Sequence, residues 1–157
     1  DQVTINTEYY EAYNNLGFNL MSNGKIDSAA KYFEKAIEIN PNYAEAYKNL
    51  GIIFKKRKQF DKAMSFYEQA FNLKSDMDFL LGDVLNNKMN LCAWSNITNH
   101  LSELRSKVIN HDKTIGPFSL LSLLDDPSLH KIASETFINF YRSINVRLLF
   151  VDLESAF

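Results

Sequence analysis

The chain has 157 residues, 46% of them hydrophobic, with only five glycines and three prolines, a balance that suits one compact helical domain with a continuous core. A formal net charge of −2 gives no field that would favour nucleic acid. A single cysteine, Cys92, excludes a disulfide framework and fits a reducing, cytoplasmic setting; no signal peptide or membrane-length apolar run is visible.

Taken from the start, Ile5 to Tyr9 reads like the tail of an element that precedes the first full unit. From Tyr10 onward the large apolar residues recur at three and four, with Tyr13, Leu16 and Leu20 on one amphipathic helix and Tyr32, Phe33 and Ile37 on the next. Asn23-Gly24 supplies the bend between them, Asp27 stands near the start of the second helix, and Asn40-Pro41 ends it. The same order then returns 34 residues later: Tyr47, Leu50 and Phe54, then Asp61, Phe66, Tyr67 and Phe71, with Ser75 where the proline would recur. Ile5 to Gly17 overlays Ile39 to Gly51 without a gap, and Ala29, Phe33 and Ala36 fall on Ala63, Tyr67 and Ala70. A period of this length belongs to solenoids of helical hairpins. Gly17 and Gly51 lie inside helices, where Gly costs about 1 kcal/mol against Ala unless close packing requires it. The alanine stripes let the paired helices approach until their bulky residues interlock. The run Lys55-Lys56-Arg57-Lys58 is expected to be a solvated helix end that complements the helix dipole.

These residues resemble the tetratricopeptide repeat, carried by Tyr13, Leu16, Gly17, Leu20, Ala29, Phe33, Ala36 and Pro41 in the first copy. In the second they are Tyr47, Leu50, Gly51, Phe54, Ala63, Tyr67 and Ala70, with Ser75 replacing the proline. The resemblance implies an all-α fold, an α/α superhelix of antiparallel hairpins. Residues 1–9 then end a preceding repeat, 10–43 and 44–77 are two full repeats, 78–111 form a degenerate hairpin, and 112–157 hold a loop, helices and a tail.

Continued past residue 77, the register puts Leu81, Val84, Leu85 and Lys88, then Ile97, Leu101 and Leu104, at the motif positions, so small residues have become large. Two helices are expected near 77–91 and 95–110, with Ser95 as an N-cap, stacked on the second repeat with wider separation. After a Gly116-Pro117 loop and an apolar turn from Phe118 to Leu124, Asp126-Pro127 opens a last helix. Leu129, Ile132, Ala133, Phe137, Phe140 and Ile144 lie on one side of it. Arg147 to Val151 is strand-like. Phe79-Leu80-Leu81-Gly82, the stretch from Lys88 to Ser95 and Gly116-Pro117-Phe118 are similar to the segment joining repeats to the catalytic half in bacterial Spindly-like relatives of O-linked N-acetylglucosamine transferase. That resemblance implies a non-catalytic front part, with the nucleotide-sugar site absent and Val146 to Phe157 leading into a first catalytic strand.

No catalytic, metal or cofactor constellation is expected. His100, His111 and His130 are scattered, Cys92 beside Trp94 reads as a buried structural thiol, and Asp125-Asp126 reads as a helix start. The sequon Asn96-Ile97-Thr98 carries no expectation. The binding candidates lie on the first helices of the hairpins, which line the concave face of a solenoid. In the glycosyltransferase relatives the Asn before Leu-Gly forms a ladder along the backbone of an extended polypeptide; Asn15 and Asn49 occupy that place here, and Asp83 breaks it in the third unit. An amide donates and accepts at once, which suits a peptide main chain. Asn14, Phe18, Lys48, Ile52 and Lys55, with Glu11, Met21 and Glu45, should share that face; the plain alternative is a set of merely solvated positions. Three functions are open: a module binding protein or extended peptide without catalysis, the substrate-recruiting front of a protein O-glycosyltransferase, or self-association through Tyr9, Tyr10 and Tyr13.

Overall fold

The computed structural model describes the backbone of residues 2–116, 119–120 and 122–154, and within that range the side chains from Tyr9 onward, except those of Tyr141 and residues 143–154. Part of the Gly116-Pro117-Phe118 loop, part of the turn to Leu124 and the Ile144 side chain lie outside the described residues. The described residues form seven helices and no strand: α1 (Gln2–Ser22), α2 (Ile26–Ile39), α3 (Ala44–Lys56), α4 (Phe60–Leu73), α5 (Leu80–Asn90), α6 (Ile97–Ile109) and α7 (Pro127–Glu154). The chain divides into two compact units, Asp1–Ser95 and Asn96–Phe157.

In the first unit α1 pairs with α2 and α3 with α4. The glycine inside each first helix is there because an aromatic ring lies against it. A Cβ on Gly17 would stand 2.7 Å from Phe33 Cε1, and one on Gly51 2.5 Å from Tyr67 Cε1, closer than any side chain tolerates. Phe33, Tyr67 and the alanines Ala29, Ala36, Ala63 and Ala70 are fully buried beneath, and full burial of such a ring contributes about 2–3 kcal/mol. The hairpins then stack: Ala46, Leu50 and Ile53 of α3 enter the cluster formed with α2, while Leu80 and Val84 of α5 join Ala63, Tyr67 and Ala70 of α4.

The turn after each first helix repeats with the same 34-residue period. Gly24, Lys58 and Cys92 all take left-handed backbone, at φ 76°, 59° and 52°. The amides of Lys25, Gln59 and Ala93 donate to the Leu20, Phe54 and Lys88 carbonyls, each at 2.9 Å, a Schellman-type closure that satisfies the last helix carbonyls. By contrast, α1 runs without a break through Ile5 to Tyr9. Thr7 stands there in the register place of Pro41, and without the proline nothing interrupts the hydrogen-bond ladder.

Several expectations are corrected. Cys92 is exposed rather than buried, because its left-handed position at a helix end turns the side chain outward, and Trp94 is 59% exposed. Ser95 does not cap α6: Asn96, left-handed at φ 56°, immediately precedes that helix, and the Ser95 carbonyl accepts a bond from Lys88 Nζ at 3.2 Å. The basic run is not a plain solvated end, since Lys55 pairs with Asp83 and Arg57 with Asp27. Asp27 does lie in the first turn of α2, as expected, with Lys25 at the N-cap place. The helices of the third expected hairpin, α5 and α6, fall in different units.

In the second unit, Leu104 and Val108 of α6 and Leu129 and Ala133 of α7 are buried, with Ile115 and Leu120 between them in sequence. Asp126 opens α7 as expected. Its Oδ1 accepts from the amides of Ser128 at 3.1 Å and Leu129 at 3.4 Å, and Arg105 Nη2 stands 3.0 Å from Oδ2. The strand reading of Arg147 to Val151 is overturned, because α7 continues through them to Glu154. No Gly or Pro lies between Ser128 and Glu154; each added residue gains a helix bond, whereas a strand would need a partner.

Candidate functional site

The first helices α1, α3 and α5 lie side by side in the first unit, and polar side chains bridge them. Asn49 Nδ2 donates to Asn14 Oδ1 at 2.9 Å, joining α3 to α1. Asn14 is only 8% exposed. The pair leaves the Asn14 Nδ2 donor and the Asn49 Oδ1 acceptor without a protein partner among the described residues. Between α3 and α5, Lys55 Nζ stands 2.7 Å from Asp83 Oδ1 in a half-buried ion pair. Lys48 Nζ donates to the Asp78 carbonyl and lies 5.9 Å from the centroid of the Phe79 ring, which belongs to a left-handed residue just before α5.

Burial sets the electrostatics. Desolvation holds the Lys48 ammonium below its usual pKa, opposed by Asp83, Asp78 and Glu45, while Lys55 lowers it further. Burial, then Asp83, pushes the Tyr67 hydroxyl up; that buried hydroxyl has no hydrogen-bond partner among the described residues. At the other edge, burial followed by Glu45 and Glu11 raises Tyr43 to about 12. A cleft of about 390 Å³ lined by Glu45, Lys48, Lys74, Asp76, Met77 and Asp78 opens beside Lys48.

The sequence-derived candidates separate into three kinds. Asn14, Lys48, Asn49 and Lys55 are tied into cross-helix contacts. Asn15 and Phe18 are exposed. Ile52 is half-buried and packs against both apolar clusters of the unit, so it serves the stacking of hairpins. Register alone pairs Asn15 with Asn49, whereas the structure brings Asn49 to Asn14. Asp83 was legible only as a missing amide; its partner Lys55 stands 28 residues earlier, a separation that no single-helix pattern reveals. Among the described residues no group of three His, Cys, Asp or Glu could hold a metal ion, and no described helix is long and apolar enough to cross a membrane.

Comparison with known proteins agrees with the fold. The tetratricopeptide-repeat family profile matches residues 8–76. The N-terminal domain of stress-induced protein-1 (STI-1) from C. elegans superposes with a TM-score of 0.55 at 20% identity, over 83% of this chain and 96% of that one. Yeast Tom70 superposes with a TM-score of 0.57 at 19% identity, over 90% of this chain; the chain spans only 26% of Tom70. No curated protein sequence matches. The fold is therefore all-α and of tetratricopeptide type, a class whose stacked hairpins present extended binding surfaces.

Proposed function

We propose that the first unit binds an extended peptide segment of a partner protein along the face shared by α1, α3 and α5, without catalysis of its own. The observation that carries this reading is the Asn14–Asn49 pair. Each amide fixes the other, and the pair keeps one donor, Asn14 Nδ2, and one acceptor, Asn49 Oδ1, the two kinds of group that a peptide C=O and N–H call for. Pre-fixed side chains bind with less loss of rotamer freedom than mobile ones. Replacing both Asn14 and Asn49 by Ala is expected to weaken binding of labelled unstructured peptides at least about tenfold, on the order of two hydrogen bonds lost. Asn15→Ala, at the exposed register mate of Asn49, tests separately whether the expected ladder position adds to binding. Fluorescence anisotropy reads the effect, and unchanged affinity in the double variant would refute the role of the amide pair.

A second reading, self-association of two copies through α1, is favoured by a comparison of the repeats. Leu50 is 1% exposed and Leu16, its register mate, 42%; Ala46 and Ile53 are buried whereas Ala12 and Asn19 are exposed. Of the tyrosines expected there, only Tyr9 is open: Tyr10 packs edge-on against Tyr43 at 4.7 Å and Tyr13 stacks on Tyr32 at 6.0 Å. Light scattering over a concentration series tests it, and a monomer at every concentration removes it. The alternative, a substrate-recruiting front part of a protein O-glycosyltransferase, stays open beside these readings, with Arg147–Val151 helical rather than strand-like.

A further inference from the structure

The face that holds the amide pair also carries a charge arrangement. Both lysines that α3 places on it are drawn onto the α5 side: Lys55 onto the Asp83 carboxylate and Lys48 onto the Asp78 carbonyl. Glu45 lies one turn before Lys48 and Asn49 on α3, and Glu11 one turn before Asn14 and Asn15 on α1. In the adjoining cleft Lys74 Nζ stands 3.7 Å from Glu45 Oε1, beside Asp76 and Asp78.

Five carboxylates, those of Glu11, Glu45, Asp76, Asp78 and Asp83, thus stand against the three ammoniums of Lys48, Lys55 and Lys74. The balance is negative, and each of the three lysines already has an oxygen of the chain to meet. Asp83 decides the preference along the amide pair, because it occupies the register place held by Asn15 and Asn49 and takes the Lys55 ammonium for itself.

We propose that Asp83 sets the charge preference of this face, so that the extended peptide it accepts carries cationic side chains and acidic segments are rejected. The inference rests on the peptide-binding reading above. With Lys55 offset by Asp83 and Lys74 by Glu45, Lys48 alone, held on a neutral carbonyl, offers its charge to a peptide carboxylate; carboxylates still outnumber ammoniums, so a lysine or arginine of the peptide meets the more favourable potential. Because Glu11 and Asp76 are exposed to solvent, the preference weakens as salt rises.

The test uses three labelled unstructured peptides of equal length, one neutral, one bearing lysines and one bearing aspartates, titrated by fluorescence anisotropy at low and high salt. The lysine peptide is expected to bind roughly tenfold more tightly than the aspartate peptide at low salt, with the gap closing at high salt. Asp83→Asn should shrink or reverse the gap, and Lys55→Met, which leaves Asp83 uncompensated, should widen it. A variant that merely unfolds cannot produce both shifts. Equal binding of the charged peptides, or a gap that neither variant alters, overturns the proposal while the peptide-binding reading stands. Failure of the neutral peptide and both charged ones to bind overturns both.

Discussion

The first two hairpins and the segment after them share one backbone turn and diverge beyond it. Gly24, Lys58 and Cys92 are left-handed alike, yet α2 and α4 begin two residues after that turn, at Ile26 and Phe60, while α6 begins at Ile97. Position 85 marks where the side-chain pattern changes. Gly17 and Gly51 leave a hollow that Phe33 and Tyr67 fill, whereas Leu85 stands in their register place and is itself fully buried. The backbone period therefore outlasts the side-chain period, because a turn depends on local hydrogen bonds and a hairpin on complementary volumes.

Substitutions at these positions sharpen or break that contrast. The largest effect is expected from Leu85→Ala, which should cost about 2–5 kcal/mol by opening a cavity, measured by urea unfolding. Gly51→Ala places a methyl into the Tyr67 ring and should cost roughly 1–3 kcal/mol; a neutral result would show that the ring has room to move. Tyr67→Phe makes the second hairpin resemble the first at Phe33, removes a buried hydroxyl that has no partner, and should stabilise by about 1 kcal/mol. Lys58→Gly relieves a left-handed lysine and should stabilise by about 0.5–1 kcal/mol, with loss of stability counting against strain at that turn.

The smallest expected effect concerns the second unit. The Ser128 hydrogen bond holds the Asp126 carboxyl below its usual range, aided by the Leu129 and Ser128 amides and Arg105. A depressed folded-state pKa stabilises above the ordinary carboxylate range, and the contribution fades as pH falls through the folded value. Amide exchange at the start of α7 should accelerate in that acidic window, and Asp126→Asn should remove the pH dependence while keeping an acceptor for the cap. An unchanged pH profile in the variant would assign the effect to another group.

Much of the fold was legible. The 34-residue overlay placed both hairpins, the Asn23-Gly24 bend and the Asn40-Pro41 stop because each depends on neighbours within a few residues. The proposed binding face was legible in part. Helical spacing put Asn49, Lys48 and Lys55 among its candidates, but the pairing of Asn49 with Asn14 and of Lys55 with Asp83 was not legible.

By itself the sequence determined helix, turn and repeat, since periodicity and turn chemistry act along the chain. Only the tertiary structure decided which amides face each other, which lysines are already satisfied, and that Cys92 is exposed. Those outcomes depend on how far one helix slides along the next, an offset set by the volumes packed between them rather than by any residue's own neighbours.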